Sequence, residues 1–77
     1  MGVSMAEAVG LRTPWLARVR KRHLWTQTRL AQEAGVARGV IVAAEGGKSI
    51  SLGSIEKLAT ALGVPPEALL GKEPEEA

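Results

Sequence analysis

The 77-residue sequence contains no cysteine, aspartate, asparagine, phenylalanine or tyrosine, and its only tryptophans are Trp15 and Trp25. Without cysteine, the chain can form no disulfide, no cysteine-ligated metal site and no thiol nucleophile. One histidine without aspartate or asparagine cannot build a Ser-His-Asp or Cys-His-Asn catalytic arrangement. We therefore expect no enzyme, no cofactor and no metal site, and a core built from leucine, valine, isoleucine and alanine.

Positive charge is concentrated in the first half of the chain, although the net charge is only +2. No acidic residue occurs between Glu7 and Glu33, whereas acid is concentrated in residues 72–77. The basic residues of this interval are Arg12, Arg18, Arg20, Lys21, Arg22 and Arg29. This asymmetry indicates a polyanionic partner, although a solvated basic helix face would give the same pattern.

The chain is expected to form one domain with two short flanking segments. Residues 1–12 form an N-terminal arm or a short helix, because Ser4 and Glu7 have the spacing of a capping box. Residues 13–71 form the folded domain, and residues 72–77 an acidic flexible tail. No stretch approaches the roughly 20 apolar residues that span a bilayer, and no secretory signal is recognisable. We therefore expect a cytoplasmic protein without a membrane partner.

Residues 13–71 contain the boundary signals of several short helices. Thr13-Pro14 predicts a first helix that runs to about His23, because threonine is a good N-cap and proline suits the first helical position. The other predicted boundaries are Thr26 and Gly35 for the second helix, Val36 and Gly46 for the third, Ser51 and Gly63 for the fourth, and Pro65 for a last turn. The β-branched run 40–44 also fits a strand, but its setting between glycines favours a helix. The sequence therefore predicts an all-α, compact bundle of four to five short helices.

Residues 26–47 have the pattern of two helices that meet at a tight turn. Gly35 tolerates the positive φ that such a turn requires, and the small side chain of Ala31 lets the helices approach closely. The polar outer face of the second helix in such a unit can enter a major groove.

Further motifs extend this pattern along the chain in a specific order and spacing. They are Val19-Arg20, Thr26-Gln27, Leu30-Ala31, Gly35-Val36, Ile41, Glu45, Gly47-Lys48, Leu58-Ala59, Ala61-Leu62-Gly63-Val64 and Leu69-Leu70. In these features the chain resembles the lambda-repressor-like helix-turn-helix family, also called the xenobiotic-response-element type. The resemblance implies a sequence-specific regulator, in most cases a repressor, that binds double-stranded DNA with helix 36–45 in the major groove. It also implies a homodimer on a palindromic site and association with the nucleoid.

The resemblance further implies roles for single residues. A glutamine at the start of the second helix binds a phosphate in this family, and Gln27 stands at that position. An arginine and a glutamate at the positions of Arg20 and Glu45 form a structural ion pair between the first helix and the recognition helix. The further phosphate-binding candidates are Thr26, Arg29, Lys48 and Arg22, of which Lys48 and Arg22 could equally be solvated surface charges.

The recognition helix departs from the family pattern. Ala37 stands at the N-cap, where the family has serine or threonine, at a cost of about 1 kcal/mol. The residues expected to face the bases are Arg38, Gly39, Val40, Val42 and Ala43. Only Arg38 can donate side-chain hydrogen bonds, with a guanine edge as its best target, while the valines and Ala43 can touch thymine methyl groups. Gly39 lets the backbone approach the DNA closely.

This apolar surface leaves a second interpretation open. The strip formed by Gly39, Val40, Val42 and Ala43 could bind a protein, as in an antitoxin-like or phage-encoded modulator. The phosphate-binding candidates favour DNA, whereas the valines favour a protein partner. For dimerisation we expect Val64, Leu69 and Leu70, or the arm before Thr13, to supply the surface.

Overall fold

Four α-helices and one short 3₁₀ helix make up the computed structural model, which describes residues 10–71. The helices are α1 (Leu16–Arg22), α2 (Gln27–Ala34), α3 (Arg38–Glu45), α4 (Leu52–Leu62) and the 3₁₀ helix (Pro66–Leu69). This part of the chain contains no multi-residue strand, and the predicted all-α bundle is confirmed. None of its helices is long and apolar enough to cross a membrane. The predicted capping box at Ser4 and Glu7 lies outside the described residues.

Side-chain caps start α2 and α4, as predicted. Thr26 Oγ1 and Ser51 Oγ each accept a hydrogen bond from the backbone N–H three residues further on, at 3.0 and 3.1 Å. Each bond satisfies one of the N–H groups that have no partner inside a helix. Gly35 and Gly63 follow the same helices at φ angles of 73° and 71°, in the left-handed conformation that closes a helix C-terminus.

The start of α1 differs from the prediction. Trp15, not Thr13, is the N-cap, and the helix begins at Leu16. The carbonyl of Thr13 accepts a hydrogen bond from the Leu16 N–H (3.0 Å), and the Trp15 N–H donates to the Leu69 carbonyl (3.3 Å). This turn leaves Thr13 only 1% exposed, and its hydroxyl has no hydrogen-bond partner among the described residues. The threonine is therefore a buried residue and not a cap.

The residue with a left-handed backbone conformation at the end of α1 is not a glycine. Leu24 has a φ of 61° and is 91% exposed. Its N–H donates to the Lys21 carbonyl (2.9 Å), and the Trp25 N–H approaches the Arg20 carbonyl at 3.5 Å. These two bonds form the Schellman arrangement, in which the left-handed position is usually a glycine. Leu24 therefore carries backbone strain without burying its side chain.

The core is aliphatic and draws on every helix. Its fully buried members are Leu16, Leu30, Ile41, Ile55, Leu58 and Leu69. Each such side chain stabilises the fold by about 1.5–3 kcal/mol relative to an exposed one. Because Leu69 is fully buried, the expectation that it contributes to a dimer surface is wrong. Val64 and Leu70 are half-buried against the same core.

Leu11, in the described part of the N-terminal arm, pairs with the loop that follows α3. Leu11 and Ile50 exchange two backbone hydrogen bonds of 3.0 Å in an isolated antiparallel bridge. Gly10 lies so close that a β-carbon on it would be 2.9 Å from the Ile50 carbonyl oxygen. No alternating pattern in the sequence indicates this bridge. It fixes residues 10–12 beside the loop that carries Lys48.

Candidate nucleic-acid interface

A tight turn joins α2 to α3 and makes them a helix-turn-helix unit. The N–H groups of Gly35 and Val36 both donate to the Ala31 carbonyl, at 2.9 and 3.2 Å. Ala31 is buried between the packed helices, where a small side chain permits a close approach. Ala37 is the N-cap of α3, as the comparison with the family pattern implied, and it has an extended conformation without a side-chain hydrogen bond. The helix therefore begins at Arg38, two residues after the Val36 start that the apolar spacing predicted.

Arg20 and Glu45 link α1 to the last residue of α3. Arg20 Nε lies 2.6 Å from Glu45 Oε2, and Arg20 Nη2 donates to Oε1 at 2.9 Å. Arg20 Nη1 also donates to the Trp25 carbonyl, at 2.8 Å, in the loop before α2. One guanidinium therefore positions three segments. These are the two residues for which the family resemblance implies an ion pair.

Gln27, the first residue of α2, joins this cluster. Its side-chain nitrogen donates to Glu45 Oε1 at 3.0 Å, so that the carboxylate accepts three hydrogen bonds. From the sequence, Gln27 was expected only to bind a phosphate, and its hydrogen bond to Glu45 was not predicted. No local sequence pattern indicates this contact. A side-chain amide nitrogen has two protons, and the second remains able to donate to a phosphate. The bond also places the N-terminus of α2 beside the C-terminus of α3.

The cluster holds its charges at neutral pH. Burial raises the pKa of the Glu45 carboxyl, but hydrogen bonds from Arg20 and Gln27 and the charges of Arg20 and Lys21 outweigh it, and the pKa is lowered. The hydrogen bond to Glu45 raises the pKa of the Arg20 guanidinium against the opposing effect of burial. Arg20 is therefore engaged by Glu45 and Trp25, despite its place in the basic run.

The remaining phosphate-binding candidates are exposed. Arg29 pairs with Glu33 at 2.8 Å and stacks 5.0 Å above the ring of Trp25. An exposed pair of this kind is weak, so that Arg29 can exchange the carboxylate for a phosphate. Lys48 and Arg22 make no ion pair within the described chain.

The first turn of α2 offers further donors for an anion. The Thr26 hydroxyl occupies the N–H of Arg29, whereas the backbone N–H groups of Gln27 and Thr28 bond to nothing in residues 10–71. Free N–H groups and the positive end of the helix dipole together attract phosphate.

The outward face of α3 is narrower than predicted. At about 100° per residue, Arg38, Val42, Gly39 and Ala43 occupy an arc of about 140°, and Val40 lies beyond its edge. Arg38, Gly39 and Val42 are exposed and Ala43 is half-buried, whereas Val40 packs against the core. Val42, at 42% exposure, is therefore the one large apolar side chain that α3 presents to solvent.

A helix-turn-helix unit with basic groups around an exposed second helix defines a class of DNA-binding domain. The sequence profile of the helix-turn-helix family matches residues 16–69, well over half of the chain. The chain therefore belongs to this family of DNA-binding regulators, of the lambda-repressor-like type, and the resemblance seen in the sequence is confirmed. No curated protein and no solved structure gives a significant match.

Proposed function

We propose that this domain is a sequence-specific transcriptional regulator that places α3 in the major groove of double-stranded DNA. The hydrogen bond between Gln27 and Glu45 carries the proposal, because it sets the phosphate-attracting start of α2 beside the end of α3. Lys48 flanks the same end, since its backbone N–H donates to the Ala43 carbonyl at 3.0 Å. Groups that can bind DNA phosphates therefore border the exposed face of α3, as insertion of this helix into a groove requires.

Arg38 is the residue that we assign to direct base contact. It is exposed in the first turn of α3, and no acidic side chain pairs with it among residues 10–71. A guanidinium matches the O6 and N7 acceptors of guanine. Val42 and Ala43 offer only contacts with thymine methyl groups, and Gly39 none. Much of the sequence preference would then come from DNA shape and deformability.

A single module of this size contacts few phosphates, so we propose a homodimer on a palindromic operator. Its half-sites would lie about one helical turn apart. Occupation of such a site blocks other proteins from the same DNA, which corresponds to a repressor. With Leu69 inside the core, the half-buried Val64 and Leu70 and the arm at residues 10–12 remain as candidate contact surfaces.

One observation favours a protein partner instead. Val42 is exposed on the face that would read DNA. The apolar strip is small, however, because Val40 packs against the core. The basic residues around α3 and the free N–H groups at the start of α2 have no role in this alternative, and we therefore prefer DNA.

Selection from a randomised pool of DNA duplexes, at low and then at physiological salt, tests the proposal. We expect enrichment of a palindrome by the native chain and loss of that enrichment in Arg38→Ala. Arg22→Ala removes an equal charge from α1 and serves as the control that retains the preference. Binding without any enriched sequence would refute sequence-specific recognition.

The salt dependence of binding tests the phosphate contacts. If one subunit neutralises about four phosphates, log K falls against log salt with a slope near −3.6. Lys48→Gln should reduce this slope by about 0.9, because each phosphate contact releases condensed counterions. Lys57→Gln removes the same charge from α4, where Lys57 lines a groove with Glu33 of α2 and no residue of α3, and should leave the slope unchanged. A slope near zero for the native chain would contradict the assignments.

Val42→Ser distinguishes DNA from a protein partner. The side chain is already partly in water, so the fold should tolerate the change. We expect a modest effect on DNA affinity. Complete loss of a complex with a protein from the native host, with DNA binding unchanged, would favour the alternative function.

A further inference from the structure

A basic groove runs along the exposed side of α1, and the proposed DNA interface does not account for most of it. Pro14 and Ala17 form its apolar part, and Arg18, Lys21 and Arg22 add three positive charges. These residues are spaced three or four apart, so they lie on one helix face. All three basic side chains are exposed, and none forms an ion pair within residues 10–71.

The end of the described chain lies at one side of this groove. Gly71 has a φ of 79°, and a β-carbon on it would be 2.7 Å from Trp15 Nε1 and 2.9 Å from Pro14 Cγ. The guanidinium of Arg18 stacks 4.3 Å above the ring of the same Trp15. Gly71, the last described residue, therefore lies within a few ångströms of the groove, with a basic side chain close by.

The sequence that follows Gly71 complements the groove in charge. Residues 72–77 read KEPEEA, with three glutamates and one lysine. Six extended residues reach about 20 Å. The rise of α1 from Arg18 to Arg22 is only about 6 Å, so that the segment can span all three basic residues.

We propose that the acidic segment 72–77 docks in the α1 groove, with its glutamates facing Arg18, Lys21 and Arg22, and that duplex DNA displaces it. The far end of the groove lies near the recognition helix, because Arg20, the residue before Lys21, is hydrogen-bonded to Glu45 at the end of α3. The segment competes there with the DNA backbone for Arg22. This competition rests on the proposed DNA-binding function, whereas docking of the segment does not.

A spin label on the segment tests docking directly. The chain has no cysteine, so Ala77→Cys provides a unique attachment site for a nitroxide. In the full chain at low salt, we expect the label to broaden the amide signals of Arg18, Lys21 and Arg22. The broadening should disappear at high salt, where surface ion pairs are screened.

Two charge variants of the labelled chain serve as a matched pair. Glu73→Gln/Glu75→Gln removes two charges from the segment and should abolish the broadening. Glu56→Gln/Glu67→Gln removes two exposed charges elsewhere and should retain it. Equal broadening in both variants would show that proximity to Gly71 alone causes it and would overturn docking.

Affinity for a random-sequence duplex tests the competition. At low salt, Glu73→Gln/Glu75→Gln should bind about twofold to fivefold more tightly than the Glu56→Gln/Glu67→Gln control, as expected when weak surface pairs no longer compete. Equal affinities would overturn the competition. Failure of every chain to bind DNA would overturn the proposed function instead, and the label experiment would still decide docking.

Discussion

Arg20 on α1 and Glu45 at the end of α3 are joined by two hydrogen bonds, of 2.6 and 2.9 Å, across 25 residues of sequence. Their side chains retain only 12% and 10% of their exposure. Trp25 and Gln27 complete the hydrogen bonding around them. A pair this buried is costly to break from one side, because the remaining charge loses its partner without regaining water.

We therefore predict that Arg20→Ala lowers the free energy of unfolding by about 3–5 kcal/mol. Chemical denaturation checks this value. Arg22→Ala, an exposed change two residues away, should stay within about 0.5 kcal/mol of the native chain. The double variant Arg20→Met/Glu45→Leu should recover much of the loss, because it leaves no unpaired charge. Equal stability of Arg20→Ala and Arg22→Ala would contradict a structural role for the pair.

The lowered pKa of Glu45 predicts a loss of stability in acid. An ionised Glu45 favours the folded state above the unfolded-state pKa of about 4.3, and this contribution disappears as the pH falls through the lower folded-state pKa. Denaturation between neutral pH and strong acid should show this decline. In Glu45→Gln the decline should be shallower, with a lower stability at neutral pH. A native profile that runs parallel to that of Glu45→Gln would show that other carboxylates cause the acid sensitivity.

The helix boundaries that were predicted correctly depend on local chemistry. Thr26 and Ser51 cap helices through hydrogen bonds that span three residues, and Gly35 and Gly63 end them through their own backbone conformation. A sequence window contains all of this information. Thr13, like Thr26, is a threonine directly before a predicted helix, but tertiary packing buries it inside the protein. Such packing depends on residues that are distant in sequence, so the neighbouring sequence could not show this.

The candidate site was predictable in outline, because the family pattern supplies residue positions. The pattern located Gln27, Glu45 and Arg38, but it did not show that Gln27 donates to Glu45. Nor did it show that Val40 turns toward the core, which depends on the rotation of α3 against its neighbours. The bridge between Leu11 and Ile50 joins two segments without strand patterns and depends on the whole fold.

The unpaired hydroxyl of Thr13 predicts that Thr13→Val stabilises the domain by about 1 kcal/mol. Valine has nearly the same shape and removes a buried polar group that has no hydrogen bond within the described chain. Thermal unfolding measures the gain. Thr13→Ser keeps the hydroxyl, removes a buried methyl group and should be less stable than the native chain. Destabilisation by valine would indicate that the hydroxyl has a partner in the folded protein.

The positive φ of Leu24 predicts that Leu24→Gly raises the free energy of unfolding by about 0.5–1 kcal/mol. Glycine relieves the left-handed strain, and part of the gain is offset by the greater freedom of the unfolded chain. The substitution loses almost no burial, since the side chain is 91% exposed. Leu24→Ala keeps the β-carbon and should therefore show little gain. A denaturation midpoint for Leu24→Gly below that of Leu24→Ala would refute this account of the α1 terminus.

Replacing Gly39 by alanine adds one methyl group, which should change the stability of the fold and its affinity for DNA in opposite directions. A β-carbon there would meet nothing within 4 Å, and the residue is exposed in α3. Gly39→Ala should therefore stabilise the helix by about 1 kcal/mol. The same methyl group would project from the outward face of α3, so DNA affinity should fall if the backbone approaches the bases closely.

Gly53→Ala places an equally unobstructed methyl group on α4 and should stabilise the fold without affecting binding. If Gly39→Ala and Gly53→Ala bind duplex DNA equally well, the α3 backbone does not approach DNA closely at this residue, and the glycine has no role in recognition.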